Sequence, residues 1–480
     1  MSKIWNILIL ILLMIVVSGC STVSYTNSPD LTKSLSETFI SDHFIFIDNN
    51  GVMRDVDDNE VVCYEKKIDL IFEKFNKLKR KNSKLSMTIY IHGGLNSFKD
   101  TVDRVKNTYK RFLKENQYPV FICWKSDLLP NYVDYLFAIR NGERNMEKAI
   151  PTSPFIFVKD VARSIARTPI SYLNNNIPIN WFVEIKDEKK ITDEIEKSLE
   201  SEQIESKFNL HKKNENYPPE GFKAFMTISG LWDFVTLWNP AKLLTTPLAD
   251  GFGKGSWRSM LRRTDLILNS QIAFDGMESK KLDECEKRDK SETAASYFLK
   301  ELRKDKYKNL KKTLIAHSMG TIVANNILTM FPDINFDKVV YMAAACKIKD
   351  VKNSVVPWLR KEKTRRFYNL TLNPYIEIHE NVHYDFIPRG SLLIWIDTFL
   401  EDINSFEDRT TGYWCNIIRS AKVVFPKEIR QQVHLTRFGI KDKSPQVHGE
   451  FDEFNFWDER FWSLKKVERF LKKSSKNVNE

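Results

Sequence analysis

Apolar and polar positions alternate along the chain in two periods. Met87–Ile91, Val120–Trp124, Thr313–Ala316, Val339–Ala345 and Phe367–Leu372 are short, almost wholly apolar runs, the pattern of strands buried on both faces. Gln432–Phe438 alternates instead and reads as an edge strand. Between these runs the apolar residues fall at helical spacing. Examples are Ile68, Ile71, Phe72, Phe75 and Leu78, then Val102, Val105, Tyr109, Phe112 and Leu113, then Ile322, Val323, Ile327 and Met330. A further amphipathic stretch runs around Ala294–Lys304. Upstream, His43–Asp48 and Val52–Arg54 flank Asn49-Asn50-Gly51, a hairpin signal because Asn-Gly supplies positive φ angles. Strand, helix and strand joined by tight loops predict parallel pairing and right-handed crossovers. The expected fold class is therefore α/β, a mostly parallel sheet flanked by helices with an N-terminal hairpin.

The periodicity breaks between residues 125 and 291, too much chain for one crossover. The segment holds a mixed-charge tract, Lys186–Lys213, and an aromatic tract, Phe222–Trp238. It reads as a large, mainly helical insertion over the C-terminal edge of the sheet, either a lid or a structural cap. Phe225–Trp232 is suited to touching acyl chains or a bilayer, and equally to being the core of the cap.

The N-terminus changes the setting. Lys3 precedes an apolar run of eleven residues, Ile7–Val17, too short for a stable span. Val17-Ser18-Gly19-Cys20 follows, and this resembles the lipobox of bacterial lipoproteins, in which the cysteine is lipidated and becomes the first mature residue. An ordinary signal peptide or short anchor is the other reading. The resemblance implies a lipid-anchored cell-envelope protein, and Ser21, not Asp, after the cysteine implies the outer membrane if the cell has one. Residues 20–42 are a polar tether. The excess of eleven basic over acidic side chains favours anionic membrane surfaces or other anions. No nucleic-acid motif accompanies it, so nucleic acid is not an expected partner. With Cys20 set aside, five widely spaced cysteines remain, with neither disulfide-scaffold nor zinc spacing. Cys123 and Cys346 end apolar runs and are expected as buried thiols.

The candidate chemistry centres on Ala316-His317-Ser318-Met319-Gly320, a serine on a very short turn from strand to helix. Small residues two before and two after Ser318 let the two backbones nearly touch. The turn resembles the nucleophile turn of the α/β-hydrolase superfamily, in the Ala-x-Ser-x-Gly variant of lipases. Without that resemblance Ser318 is equally a helix N-cap. His92-Gly93-Gly94-Leu95, directly after a buried strand, resembles the family's oxyanion loop, which implies oxyanion-binding N–H groups on Met319 and on Gly94 or Leu95. The family's order of serine, acid and histidine implies an acid after the second strand beyond the serine and a histidine after the last strand. His448 stands ten residues past Phe438 beside Gly449, whereas His379 and His383 precede the final strand and His434 lies within it. The loop after Leu372 offers Glu377, Glu380 and Asp385. Asp385, in Asp-Phe-Ile-Pro, resembles the Asp-x-Val-Pro pattern of triacylglycerol lipases and is the expected acid, with Asp350 as competitor. His92, His317 and Arg389 are read as structural.

The expected organisation is a signal peptide at 1–19, a tether at 20–42, an α/β-hydrolase core at 43–124 and 292–470, the insertion at 125–291 and a disordered tail at 471–480. The expected function is membrane-anchored serine hydrolysis of a carboxylic ester, most naturally a lipid or acyl ester, by Ser318, His448 and Asp385. No metal or organic cofactor is implied, and the oligomeric state is not readable. The rival is a catalytically inactive lipoprotein of the same fold that binds or scaffolds a partner.

Overall fold

The computed structural model describes residues 41–470, apart from 50, 62, 95–97, 127, 177, 204–205, 214–239, 270–291, 382–386 and 442. The signal peptide, nearly all of the tether, the aromatic tract and the tail lie outside the described residues.

Strand β1 (Phe44–Ile47) pairs antiparallel with β2 (Met53–Arg54), as the Asn-Gly signal requires. Helix α1 (Tyr64–Lys81), β3 (Ser86–Ile91), α2 (Phe98–Lys114) and β4 (Gln117–Trp124) follow. Next come α3 (Leu128–Phe137), a separate ribbon of β5 (Ile139–Arg140) and β6 (Glu143–Arg144), α4 (Met146–Asn176), α5 (Pro178–Glu200), β7 (Asn209–Lys212), α6 (Pro240–Leu266) and α7 (Ala294–Leu302). The C-terminal part runs β8 (Lys312–His317), α8 (Gly320–Met330), β9 (Lys338–Met342), α9 (Ile348–Arg360), β10 (Arg366–Thr371), α10 (Pro374–His379), α11 (Leu392–Trp395), α12 (Trp414–Val424) and β11 (Val433–Arg437). Nine strands form one sheet in the order β2-β1-β4-β3-β8-β9-β10-β11-β7, parallel except for β2. The chain is thus an α/β protein with a mostly parallel central sheet.

Side chains on successive strand residues go to opposite faces, and each face has its own core. Met87, Ile89, Leu314 and Ala316 pack with α1, α7, α8, α9 and α12. Tyr90, Ile315 and Val340 pack with α2 and with aromatic residues of 451–462. Both faces are covered, which is why these strands read as unbroken apolar runs.

Two expectations change. Gln432–Phe438 is not an edge strand, because β7 pairs parallel with β11 outside it. Its alternation has a polar cause: His434 stacks between Tyr368 and His211, with ring centroids 4.3 and 5.4 Å away. The stretch between 125 and 291 is therefore not wholly a cover over the sheet edge. The mixed-charge tract builds the end of α5 and the ninth strand. Buried Glu196 of α5 ties them down, accepting from Trp414 Nε1 at 2.9 Å, Arg437 Nη1 at 2.9 Å and Lys212 Nζ at 2.7 Å. Cysteine use also differs from expectation. Cys123, Cys346 and Cys415 are free and buried, but Cys63 is disulfide-bonded.

The chain reverses direction across the sheet between β3 and β8. From β3 it steps to β4 on one side, and from β8 it steps to β9 and β10 on the other. Loops leaving the carboxyl ends of two such strands diverge and leave a crevice, the usual ligand position in open α/β sheets.

Candidate active site

Ser318 stands at that crevice, immediately after β8. Its φ is +49°, a left-handed conformation that a non-glycine residue adopts only when its surroundings enforce it. Those surroundings are visible. The Ser318 N–H donates to Met342 O at 2.8 Å, and its carbonyl accepts from Thr321 N at 3.1 Å, Thr321 Oγ1 at 2.7 Å and Ala345 N at 3.1 Å. The small residues of the motif have the expected steric reason. A Cβ on Gly320 would fall 2.5 Å from Ile91 O and 2.7 Å from His92 O. The helix start therefore touches the backbone leaving β3.

His448 opens a 3₁₀ turn, His448–Glu453, after β11. Its Nε2 lies 2.8 Å from Ser318 Oγ across 130 residues of sequence. With the serine hydroxyl as donor, the arrangement a general base requires, Nε2 is the unprotonated nitrogen and the ring proton sits on Nδ1. Burial, and then His317, lower the His448 pKa to about 3, so the ring is neutral at neutral pH and able to accept a proton. Nδ1 is buried and has no hydrogen-bond partner among the described residues. The turn is fixed from several sides. His317 Nε2 donates to the His448 carbonyl at 3.0 Å. Arg104 of α2 pairs with Asp452 of the same turn at 2.7 Å, both buried. The His448 N–H donates to Glu380 Oε2 at 2.9 Å.

Residues 93 and 94 lie against the Ser318 turn. A Cβ on Gly93 would stand 3.0 Å from Ser318 Cβ, and one on Gly94 would stand 2.6 Å from Met319 Sδ. Met319 is fully buried and precedes α8, where first-turn N–H groups have no intrahelical partner. Leu95 lies outside the described residues. His92 holds the loop: Trp124 N–H donates to its Nε2 at 2.9 Å, so Nδ1 carries the proton and donates to Gly93 O. The ring stacks on Trp124 at 4.2 Å, and burial lowers its pKa to about 3. His92 and His317 are thus structural, as expected.

Asp385 and His383 lie outside the described residues. Asp350 is a helix cap, its Oδ2 accepting from Lys347 N at 3.0 Å. The lysines beside it pair elsewhere, Lys347 with Glu401 at 3.0 Å and Lys349 with Asp408 at 2.7 Å. Glu377 is fully buried, and neither carboxylate oxygen has a hydrogen-bond partner among the described residues. Burial, reinforced by Glu380, pushes its pKa up to about 8, so it is mostly protonated at neutral pH. Glu380, three residues on, is the carboxylate in contact with His448. Sequence reasoning named Glu380 among the loop's acids without a signal to prefer it. The cue available was its distance from β10, just past a short helix capped by Asn373-Pro374.

Compared with protein-family models, curated proteins and solved structures, the chain matches none.

Proposed function

We propose that the protein is a membrane-anchored serine hydrolase of the α/β-hydrolase type that cleaves a carboxylic ester, a lipid or acyl ester in the first instance. The observation that carries this reading is the 2.8 Å contact between Ser318 Oγ and His448 Nε2, made by a serine held at positive φ. A serine hydroxyl is a weak nucleophile until a base takes its proton. In the proposed reaction Ser318 Oγ attacks the ester carbonyl while its proton passes to His448 Nε2. The oxyanion is received by the Met319 N–H and by an N–H from Gly94 or Leu95. Collapse breaks the ester C–O bond, and His448 returns the proton to the departing alkoxide. Water then repeats the sequence on the acyl-enzyme, releasing the acid and restoring the serine.

The positively charged imidazole needs a carboxylate near Nδ1. Asp385 is the acid implied by the sequence resemblance. Glu380 is a second reading, favoured by its bond to the His448 N–H. The backbone N–H and Nδ1 of one histidine are close neighbours, so a carboxylate holding the first is within a rotamer change of the second. The disulfide at Cys63 supports an oxidising, exported location, consistent with Cys20 as a lipid-acceptor site.

The rival, an inactive binding lipoprotein, has no need of a strained serine bonded to a buried imidazole. A fluorophosphonate probe tests the choice. It should label the purified chain, and the label should vanish in Ser318→Ala with folding intact. Absence of labelling and of turnover across esters of graded chain length would favour the rival.

A further inference from the structure

Helix α4 carries a second apolar face, turned away from the protein. Successive residues advance about 100° around a helix, so Pro151, Pro154, Phe155, Val158, Ala162 and Ile165 share one arc of about 100°. All six are exposed, Phe155 at 79%, Val158 at 64% and Ile165 at 70%. The opposite side of the helix packs on α3 and α6 through apolar Ile156, Phe157 and Val161, and it carries polar groups as well. Asp160 is buried and accepts from Tyr132 Oη at 3.0 Å. Arg163 and Arg167 reach fully buried Asp250 at 3.0 and 2.6 Å. Ser164 sits where a Cβ on Gly251 would be 1.8 Å from its hydroxyl. A helix on a water-facing surface turns charged and polar residues outward instead. The outward arc continues to Pro169, about 27 Å from Pro151, and Lys159 at its border is the one charged side chain exposed between those prolines. Exposed apolar surface of this extent marks a contact that the isolated chain does not satisfy.

We propose that this face of α4 lies in the headgroup and upper acyl layer of a lipid bilayer, parallel to the membrane plane. Among the described residues no helix is long and apolar enough to cross a membrane, and a helix with one exposed apolar face and basic residues at its border suits the interface plane. The occupant follows from two further observations. The exposed charges next to the arc are Lys148 and Lys159 against Glu147 alone, on a chain of net charge +11, which complements anionic headgroups and lets Lys159 extend its ammonium to them. The chain before Ser41 is a short polar tether after Cys20, so the anchored body cannot leave the bilayer's neighbourhood. The choice of a bilayer rests on that anchoring reading. The consequence reaches the active site. Helix α6, packed against α4, carries Met260, whose Cε would lie 3.0 Å from a Cβ on Gly94. Seating α4 on the membrane brings this helical layer, and the loop beside Ser318, to the lipid surface.

The test uses the full chain with Val158→Cys carrying an environment-sensitive fluorophore, and Lys81→Cys at the far end of α1 as the control. Cys123, Cys346 and Cys415 are buried, and the wild-type chain taken through the same labelling sets the blank. Each protein is floated with phosphatidylcholine vesicles, with and without phosphatidylglycerol, containing lipid that bears a nitroxide near the headgroup. The expected result is flotation of both, with a blue shift and loss of most emission at position 158, strongest with phosphatidylglycerol, and no change at position 81. Chains that float while position 158 behaves like position 81 overturn the docking face and leave the anchor standing. Chains that do not float, with position 158 unchanged, overturn both. A blue shift without vesicles that grows with protein concentration assigns the face to a second copy of the chain and overturns the proposal.

Discussion

Replacing Glu380 by glutamine separates the two candidate carboxylates by magnitude. Glutamine keeps the length of the side chain and a carbonyl oxygen for the His448 N–H, now 2.9 Å from Glu380 Oε2. If Glu380 only holds that backbone, the change swaps a charge-assisted hydrogen bond for a neutral one, a loss of about 1 kcal/mol. Were all of it expressed in the transition state, kcat would fall less than tenfold. If Glu380 also orients Nδ1 and balances the imidazolium, His448 is left in the wrong tautomer. The same loss in a serine protease costs about 10⁴ in kcat, roughly 5.5 kcal/mol. The two outcomes differ by more than three orders of magnitude, well outside assay error. The measurement is kcat on one soluble short-chain ester at one pH, for Glu380→Gln, Asp385→Asn and Asp350→Asn, with a thermal melt of each. Asp350→Asn should lose at most a cap's worth of stability, about 1 kcal/mol, and retain its turnover. A Glu380→Gln enzyme within tenfold of wild type, beside a dead Asp385→Asn, refutes the Glu380 reading. Normal turnover in both would refute the idea that a carboxylate supports His448 at all.

Two further predictions probe the scaffold. Gly320→Ala forces a methyl to within 2.5 Å of Ile91 O, a backbone atom that yields only if β3 or the turn moves; denaturant unfolding should show a loss of about 1–3 kcal/mol together with a fall in activity, and wild-type values for both would contradict the close approach. Glu377→Gln removes a buried carboxyl whose pKa is raised from 4.5 to about 8; a raised folded-state pKa means wild-type stability is lost as pH climbs from about 4.5 towards 8, so the variant's advantage should widen by up to about 1.4 kcal/mol per pH unit in urea titrations at pH 5 and pH 8, and a pH-independent difference would count against it.

The core strands were legible because parallel strands covered on both faces leave few polar positions, and in the runs at 87–91, 313–316 and 367–372 every residue but Thr313 is buried. The Ser318 turn was legible for a steric reason: Gly320 is the residue that lets the helix start touch β3. His448 was legible from chain order alone, and its distance from Ser318 agrees with that reading. The edge of the sheet was not. Whether Asn209–Lys212 pairs with β11 depends on Glu196 meeting Arg437 and Trp414, more than 200 residues away, and no local pattern encodes such a contact.

The different surroundings of Glu377 and Glu380 have a geometric reason. Glu377 and Glu380 lie three residues apart, so on a continuing helix they would share a face. The helix stops between them: α10 ends at His379, and Glu380 takes φ −56° and ψ 135°. That single change of ψ separates two otherwise similar carboxyls. Glu377 remains fully buried, where its charged form is too costly and the proton stays. Glu380 leaves the helix axis and reaches the His448 backbone. The Gly390 N–H donates to the Glu380 carbonyl at 2.6 Å, and the Ser391 N–H donates to that of Glu377 at 2.9 Å, so the return of the loop is what stops the helix there. Glu377 and Glu380 sit on one short segment, and the return of the chain at Gly390 and Ser391 decides which of these two reaches the His448 backbone.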